Sequence, residues 1–247
     1  MAEPSPRSVS RGLCHSRGDA NDWHHATSRS KDGRLTQRRV RAYLGLGANV
    51  GDAQRTLTET VSAIEALPGV RLHGVSRLYA TAPVGVTDQP EFRNAVVAID
   101  APAGPDPATG AMALLERLKD LSASSGAANA GAGGPRELDL DLLVFGRARV
   151  AVERTAGRAG RPTPAPTRKW RLDGSEVPHP SAAARLFVLA PMADLAPGLV
   201  PPGWRRTVET ARRAQARLEP ADAVRPIGTW DPARRAWVPI TATPATR

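Results

Sequence analysis

The order of apolar segments predicts an α+β sandwich: strand, helix, two strands, helix, strand, then further helices. Three observations carry that expectation. An apolar run from Ala42 ends in a Gly-rich turn at Asn49. Stripes of helical spacing follow, first Leu57, Val61, Ile64 and Leu67, then Met112, Leu115 and Leu118. The segment Leu138 to Phe145 alternates at period 2, as a half-buried strand does. The β-α-β-β-α-β order is that of a ferredoxin-like sandwich, with extra C-terminal helices and a disordered N-terminal tail.

Each element has a local signal. Ala42-Tyr43-Leu44-Gly45-Leu46-Gly47-Ala48-Asn49 reads as the first strand and its turn. Asp52 stands where a helix N-cap is wanted, and Pro68-Gly69 stops that helix. Val70 to about Ala80 is strand-like, Val84 to Pro90 is a Pro/Gly loop, and Phe92 to Ile99 is a third apolar strand. Ala108 to Leu121 forms the second helix, and Ser122 to Gly134 is almost all Ala, Gly and Ser, a flexible loop without an anchor. In the next strand, period 2 sets Leu138, Leu140, Leu142 and Val144 on one face, Asp139 and Asp141 on the other. Ala182 to Leu195 and the basic stretch Arg205 to Leu218 read as helices.

Composition bounds the rest. Of 247 residues, 41% are hydrophobic, enough for one core if part of the chain stays out of it. No apolar run approaches the ~18 residues of a membrane span. The N-terminus lacks a secretory h-region, and the one cysteine, Cys14, excludes a disulfide scaffold. A cytoplasmic protein is expected. The net charge is +10, but residues 1–41 hold nine basic side chains against four acidic ones, so half of it lies in a segment without apolar periodicity. Residues 1–40 therefore read as a disordered basic tail rather than a nucleic-acid-binding arm. Its Cys14, His15, His24 and His25 match no zinc spacing. Residues 41–220 form the compact domain, interrupted by a flexible Arg/Pro/Gly-rich insertion at 147–174, and residues 221–247 form a C-terminal extension.

The pair Asp139 and Asp141 is the first chemical signal. Two carboxylates two residues apart on a strand set oxygen ligands side by side, which suits Mg²⁺ held together with substrate phosphates. The same spacing also fits a plain solvent face. The neighbourhood favours chemistry: Gly134-Pro135-Arg136 precedes the pair, and Val177-Pro178-His179-Pro180 and Arg185 follow it. Arg and His beside such a site neutralise phosphate oxygens.

Four blocks, taken in order, carry a resemblance. They are Gly47-Ala48-Asn49; Tyr79-Ala-Thr81-Ala-Pro83-Val-Gly85 with Asp88-Gln89-Pro90-Glu-Phe92-Arg-Asn94; Gly134-Pro135-Arg136-Glu-Leu138-Asp139-Leu-Asp141; and Pro178-His179-Pro180 with Arg185-Leu-Phe187-Val-Leu189-Ala-Pro191. Over roughly Ala42 to Pro201 the chain resembles the 6-hydroxymethyl-7,8-dihydropterin pyrophosphokinases, with Ala48 in place of the serine of their GSN turn. The resemblance implies a ferredoxin-like fold and transfer of pyrophosphate from ATP to the pterin's hydroxymethyl group, in folate synthesis. It implies that Asp139 and Asp141 hold two Mg²⁺ ions bridging the ATP phosphates. Asn94 would read the pterin's amide edge, helped by backbone groups around Thr81, Pro83 and Val84, while Phe92 and Phe187 sandwich the ring. Arg136, His179 and Arg185 would meet phosphate or nucleotide. The implied partners are pterin and ATP, bound by a monomer without nucleic acid or membrane.

One block departs from the family. Where the family has an Arg- and Trp-bearing loop of the form GRxRxxRWGPR, this chain reads Ser125-Gly-Ala-Ala128-Asn-Ala-Gly-Ala132-Gly133-Gly134-Pro135-Arg136. Every Arg but Arg136 is gone, and so is the Trp. A weak or inactive relative that still binds pterin or nucleotide is therefore the second reading. A basic nucleic-acid-binding domain is the third. It wants exposed aromatics among basic residues on strands, and Tyr43, Tyr79, Phe92 and Phe145 lack that clustering.

Overall fold

The computed structural model describes residues 38–83, 88–124, 137–151 and 176–240. Val84, Arg136, the Ala/Gly loop at 125–136, residues 1–37 of the tail and 152–174 of the insertion lie outside the described residues. Among the described residues the fold is mixed α/β, a seven-stranded antiparallel sheet with four α-helices and a separate two-stranded ribbon.

The sequence runs β1 (Arg39–Ala48), α1 (Ala53–Glu65), β2 (Arg71–Val75), β3 (Leu78–Thr81), β4 (Phe92–Pro102), α2 (Pro107–Ser124) and β5 (Asp139–Phe145). The ribbon strands β6 (Val150–Ala151) and β7 (Glu176–Val177) come next, then a 3-10 turn at Ala182–Ala184. They lead to α3 (Leu186–Leu195), α4 (Val208–Gln215), β8 (Val224–Asp231) and β9 (Ala236–Pro239). Across the sheet the order is β5-β1-β4-β3-β8-β9, with β2 also paired to β4.

Each face of the sheet buries its own apolar layer. Leu57, Val61 and Ile64 of α1 and Leu114, Leu115 and Leu118 of α2 pack with Leu44, Leu46, Val97 and Ile99 of the strands. On the other face, Leu189 and Met192 of α3 and Val208 of α4 pack with Tyr43, Val96 and Ala98. The Asp52 side chain accepts from the Arg55 N–H at 3.0 Å, the cap that the sequence predicts for α1.

The tail read as residues 1–40 ends early, because Arg39 and Val40 pair with Pro102 and Ala101 as the start of β1. The structure departs from the sequence reading at four further places, each with a physical cause. The strand expected over 70–80 is two strands, because Ser76 uses its hydroxyl where a backbone carbonyl would serve. Ser76 Oγ accepts from the Val96 N–H at 2.9 Å, leaving the Ser76 carbonyl to accept from Trp237 Nε1 at 2.8 Å. The helix expected over 182–195 is a 3-10 turn and then α3, because Arg185 is extended (φ −122, ψ 110) as a helix N-cap is. The face expected to hold Leu138, Leu140, Leu142 and Val144 is broken at its end. Leu44 pairs with Leu142 but Tyr43 pairs with Val144, so Leu143 is an extra residue and Val144 turns to the α3 side. Finally, the segment 221–247, set apart above as an extension, contributes β8 and β9. β8 pairs with β3, and Trp237 on β9 is 3% exposed within the α1–α2 layer.

The close seat of α2 gives a test. A Cβ on Gly110 would stand 2.2 Å from the Ala103 carbonyl oxygen and 3.0 Å from Phe145 Cζ. In an open helix Gly→Ala gains about 1 kcal/mol. Here Gly110→Ala is expected to lose about 1–3 kcal/mol instead, because the helix must lift off the sheet. Urea denaturation of the two proteins measures the sign, and a stabilised variant contradicts this packing.

Candidate active site

The site is built from the alternation of three strands. Tyr43 on β1 and Val96 and Ala98 on β4 face α3, so Gly45, Gly47 and Asn94 do too. The register then draws a straight row across the sheet. Asp139 of β5 stands opposite Gly47 of β1, Gly47 opposite Asn94 of β4, and Asn94 opposite Tyr79 of β3. One step along, Asp141 stands opposite Gly45, and Thr81 pairs with Phe92 on the other flank. Asp139, Asp141, Asn94, Thr81 and Phe92 thus share one face, although β1 is the only strand joining the acidic strand to β4.

Glycine keeps that face open over β1. A Cβ on Gly47 would lie 2.9 Å from Asn94 Oδ1 and 3.8 Å from Asp139 Cβ. At Gly45 it would meet a Leu143 methyl at 3.3 Å. The Asn94 amide therefore lies across the bare backbone of β1, and its position requires a residue without a side chain beneath it.

The polar groups of the row are held from the sides. Asn94 and Thr81 are buried, and Asn94 Nδ2 donates to Thr81 Oγ1 at 2.7 Å, which leaves Oδ1 as the amide's acceptor atom over Gly47. Asn49, 4% exposed, donates from Nδ2 to Gln89 Oε1 at 3.0 Å and to the Pro90 carbonyl at 3.1 Å. It ties the turn after β1 to the segment that delivers Phe92. The sequence reading placed Asn49 only within a resembling turn. Its partners are forty residues away, and no local signal announces them.

Asp139 and Asp141 are half-buried on β5, at one edge of the sheet. His179 is brought beside that edge: its N–H donates to the Leu143 carbonyl at 3.0 Å, and its own carbonyl accepts from the Ala182 N–H at 3.1 Å. Phe92 and Pro83 are half-buried at the β3–β4 end. Phe187, also half-buried, lies in the first turn of α3, the helix packed over this face. The exposed Arg185 guanidinium sits 5.7 Å above the Phe187 ring centroid, so one face of that ring is already covered.

At the far end of the row a group absent from the sequence reading appears. The Tyr79 hydroxyl donates to Asp194 Oδ2 and Oδ1 at 3.0 and 3.1 Å, and the Arg77 guanidinium pairs with the same carboxylate at 2.5 Å. Burial first, and then the Asp194 charge, push the Tyr79 phenol well up from its ordinary range, so it stays protonated and donates.

A paired-carboxylate strand, a glycine trough and a buried Asn–Thr pair now stand in fixed register. The sequence profile of 7,8-dihydro-6-hydroxymethylpterin-pyrophosphokinase (HPPK) matches residues 43–197. A Methylorubrum extorquens protein named 2-amino-4-hydroxy-6-hydroxymethyldihydropteridine pyrophosphokinase is 37% identical over 182 residues, 74% of this chain and 96% of the relative. A Pseudomonas aeruginosa protein of the same name is 35% identical, over 68% of this chain and 88% of its own. Among solved structures, a triple mutant of Plasmodium falciparum HPPK-DHPS superposes with a TM-score of 0.60 at 12% identity, covering 82% of this chain. This chain spans 49% of that longer one, and the likeness is one of fold. Over residues 43–197, from β1 through α3, the chain belongs to the HPPK family.

Proposed function

We propose that this chain transfers the β,γ-pyrophosphoryl group of ATP to 6-hydroxymethyl-7,8-dihydropterin, as a step of folate synthesis. The observation that carries the reading is the single row in which Asp139, Gly47 and Asn94 face the same side of the sheet. It sets a carboxylate pair that suits phosphate-bound metal across one intervening strand from a buried amide that suits a heterocycle. In the reaction, the pterin's hydroxymethyl oxygen forms a bond to the β-phosphorus. The bond from that phosphorus to the oxygen shared with the α-phosphate breaks, AMP leaves with the electron pair, and the hydroxyl proton is released.

Asn94 and Thr81 bind and orient the pterin edge in this reading, with backbone groups at Pro83 and Val84, and Phe92 and Phe187 cover the ring. Arg136, His179 and Arg185 meet the nucleotide's phosphates. The half-buried pair Asp139 and Asp141 is a donor set that fits Mg²⁺, which takes one or two carboxylates and completes its shell with water and phosphate oxygens. Two such ions would be held by these residues, and when bound they supply charge neutralisation at the phosphates. The strand order β5-β1-β4 with β2 and β3 beyond, and α1 and α2 on one face, supports a ferredoxin-like reading of the fold. Among the described residues no helix is long and apolar enough to cross a membrane. A cytoplasmic monomer acting on small molecules is the setting we propose.

A second reading has its own observation. The loop before Gly134 lacks the Arg and Trp residues of the family pattern, which favours a slow enzyme, or a protein that binds pterin without efficient turnover. Removing one well-placed donor from a charged transition state costs about 2.7–4 kcal/mol, or roughly 10²–10³ in rate.

Release of AMP from ATP, Mg²⁺ and 6-hydroxymethyl-7,8-dihydropterin tests the activity directly. Asp139→Asn is expected to abolish Mg²⁺-dependent AMP release without a change in thermal stability, since the side chain lies on the face opposite the Leu138 layer. Near-normal turnover in that variant overturns the metal assignment. Gly47→Ala, whose Cβ collides with Asn94 Oδ1, is expected to weaken pterin binding by about tenfold or more while the nucleotide's affinity holds. For the loop, Arg at Ala128 and Ala132 with Trp at Gly133 should raise kcat and leave pterin affinity unchanged. A natural chain that already turns over as fast as a relative with the full loop contradicts the slow-enzyme reading.

A further inference from the structure

Asp194 lies near the end of α3, two turns of helix from Phe187, and the two positions share a helix face because seven residues are close to two full turns. Asp194 is the group through which that helix is tied to β3. Its carboxylate accepts from the Arg77 N–H and Nε at 3.1 Å, from Arg77 Nη2 at 2.5 Å, and from the Tyr79 hydroxyl. Tyr79 and Thr81 are alternate residues of the same strand, so the strand bonded to Asp194 is also the strand that holds Asn94 through Thr81.

Apolar packing also holds α3, but without directional bonds to β3. Leu189 and Met192 lie in one buried layer with Val96 and Ala98, which holds the helix down on the sheet. Pro191 lies inside the helix and has no N–H to offer the Phe187 carbonyl one turn back. Cavities of about 710 and 470 Å³ flank the end of the helix, and Arg77 and Asp194 line both. The ion pair therefore stands at the wall shared by these two cavities.

We infer that Asp194 is a positioning residue for the pterin pocket: bound to Arg77 and Tyr79, it sets where α3 stands against β3 and so fixes Phe187 relative to Thr81 and Asn94. This rests on the reading of that face as the pterin site. The carboxylate touches no substrate. It acts through the helix.

The test is steady-state kinetics on the whole chain, varying pterin at saturating MgATP and then the reverse. The proteins are wild type, Asp194→Asn, Tyr79→Phe, Phe187→Ala and the double variant of Asp194→Asn with Phe187→Ala. Asp194→Asn keeps the shape but loses the charge that holds Arg77. It is expected to raise the pterin KM about tenfold, with kcat and the MgATP KM within about twofold of wild type. In the Phe187→Ala background the same change should add almost nothing to the pterin KM, because the wall it positions is gone. Tyr79→Phe removes one of the tethers without leaving a buried donor behind, and should raise the pterin KM about threefold. It carries the test if Asp194→Asn fails to fold. A fall in kcat at unchanged pterin KM, or full additivity with Phe187→Ala, overturns the inference. Wild-type protein that binds ATP but no pterin overturns the site reading and this inference with it.

Discussion

β1 is hydrogen-bonded along both edges, to β4 over ten residue pairs and to β5 over six, and that two-sided ladder decides where Asp139, Asp141 and Asn94 stand. A slip of one residue against either neighbour would send Asp139 and Asp141, or Asn94, to the face buried under α1 and α2. The apolar residues of the opposite face forbid the slip. Leu44, Leu46, Val97 and Leu142 are each at most 3% exposed, and inverting them would set them against the open trough. Specificity of register is thus supplied by hydrophobic burial on one face and fixes the polar side chains of the other.

Along that ladder the face toward α3 carries both large and missing side chains. Phe92 and Phe187 bring surface, while Gly45 and Gly47 withhold it, and the withheld volume is where the Asn94 amide lies. A glycine in a strand interior weakens the strand. Here β1 tolerates two of them because it is paired on both edges and its other face is completely covered. The stability cost falls on the strand that can bear it.

Much of this was legible in the sequence, and what escaped has a common cause. The period-2 run at 138–145 announced a strand with two carboxylates on one face, and the cap at Asp52 and the stop at Gly69 bounded α1. Those signals are local. The bulge at Leu143, the Asn49 bonds to Gln89 and Pro90, and the Asp194 tether to Tyr79 are not, since they join residues 40 to 115 positions apart or depend on a neighbouring strand. The C-terminal hairpin was missed for a related reason. Trp230 and Trp237 flank the charged turn Asp231-Pro-Ala-Arg-Arg235, whose composition reads as surface, and only pairing with β3 makes strands of its arms.

The bond from Trp237 to the Ser76 carbonyl spans 161 positions, and synthesis runs from the N-terminus at about 5–20 residues per second. β1 through β5 leave the ribosome first and have their partners among themselves. The outer edge of β3 does not. It is sealed only when β8 and Trp237 emerge, roughly ten seconds or more after Ser76, and until then the strand carrying Thr81 is the exposed rim of a half-made sheet. The nascent chain must carry this sticky border for all of that interval, which makes the β8–β9 hairpin the seam that closes this sheet as well as its edge.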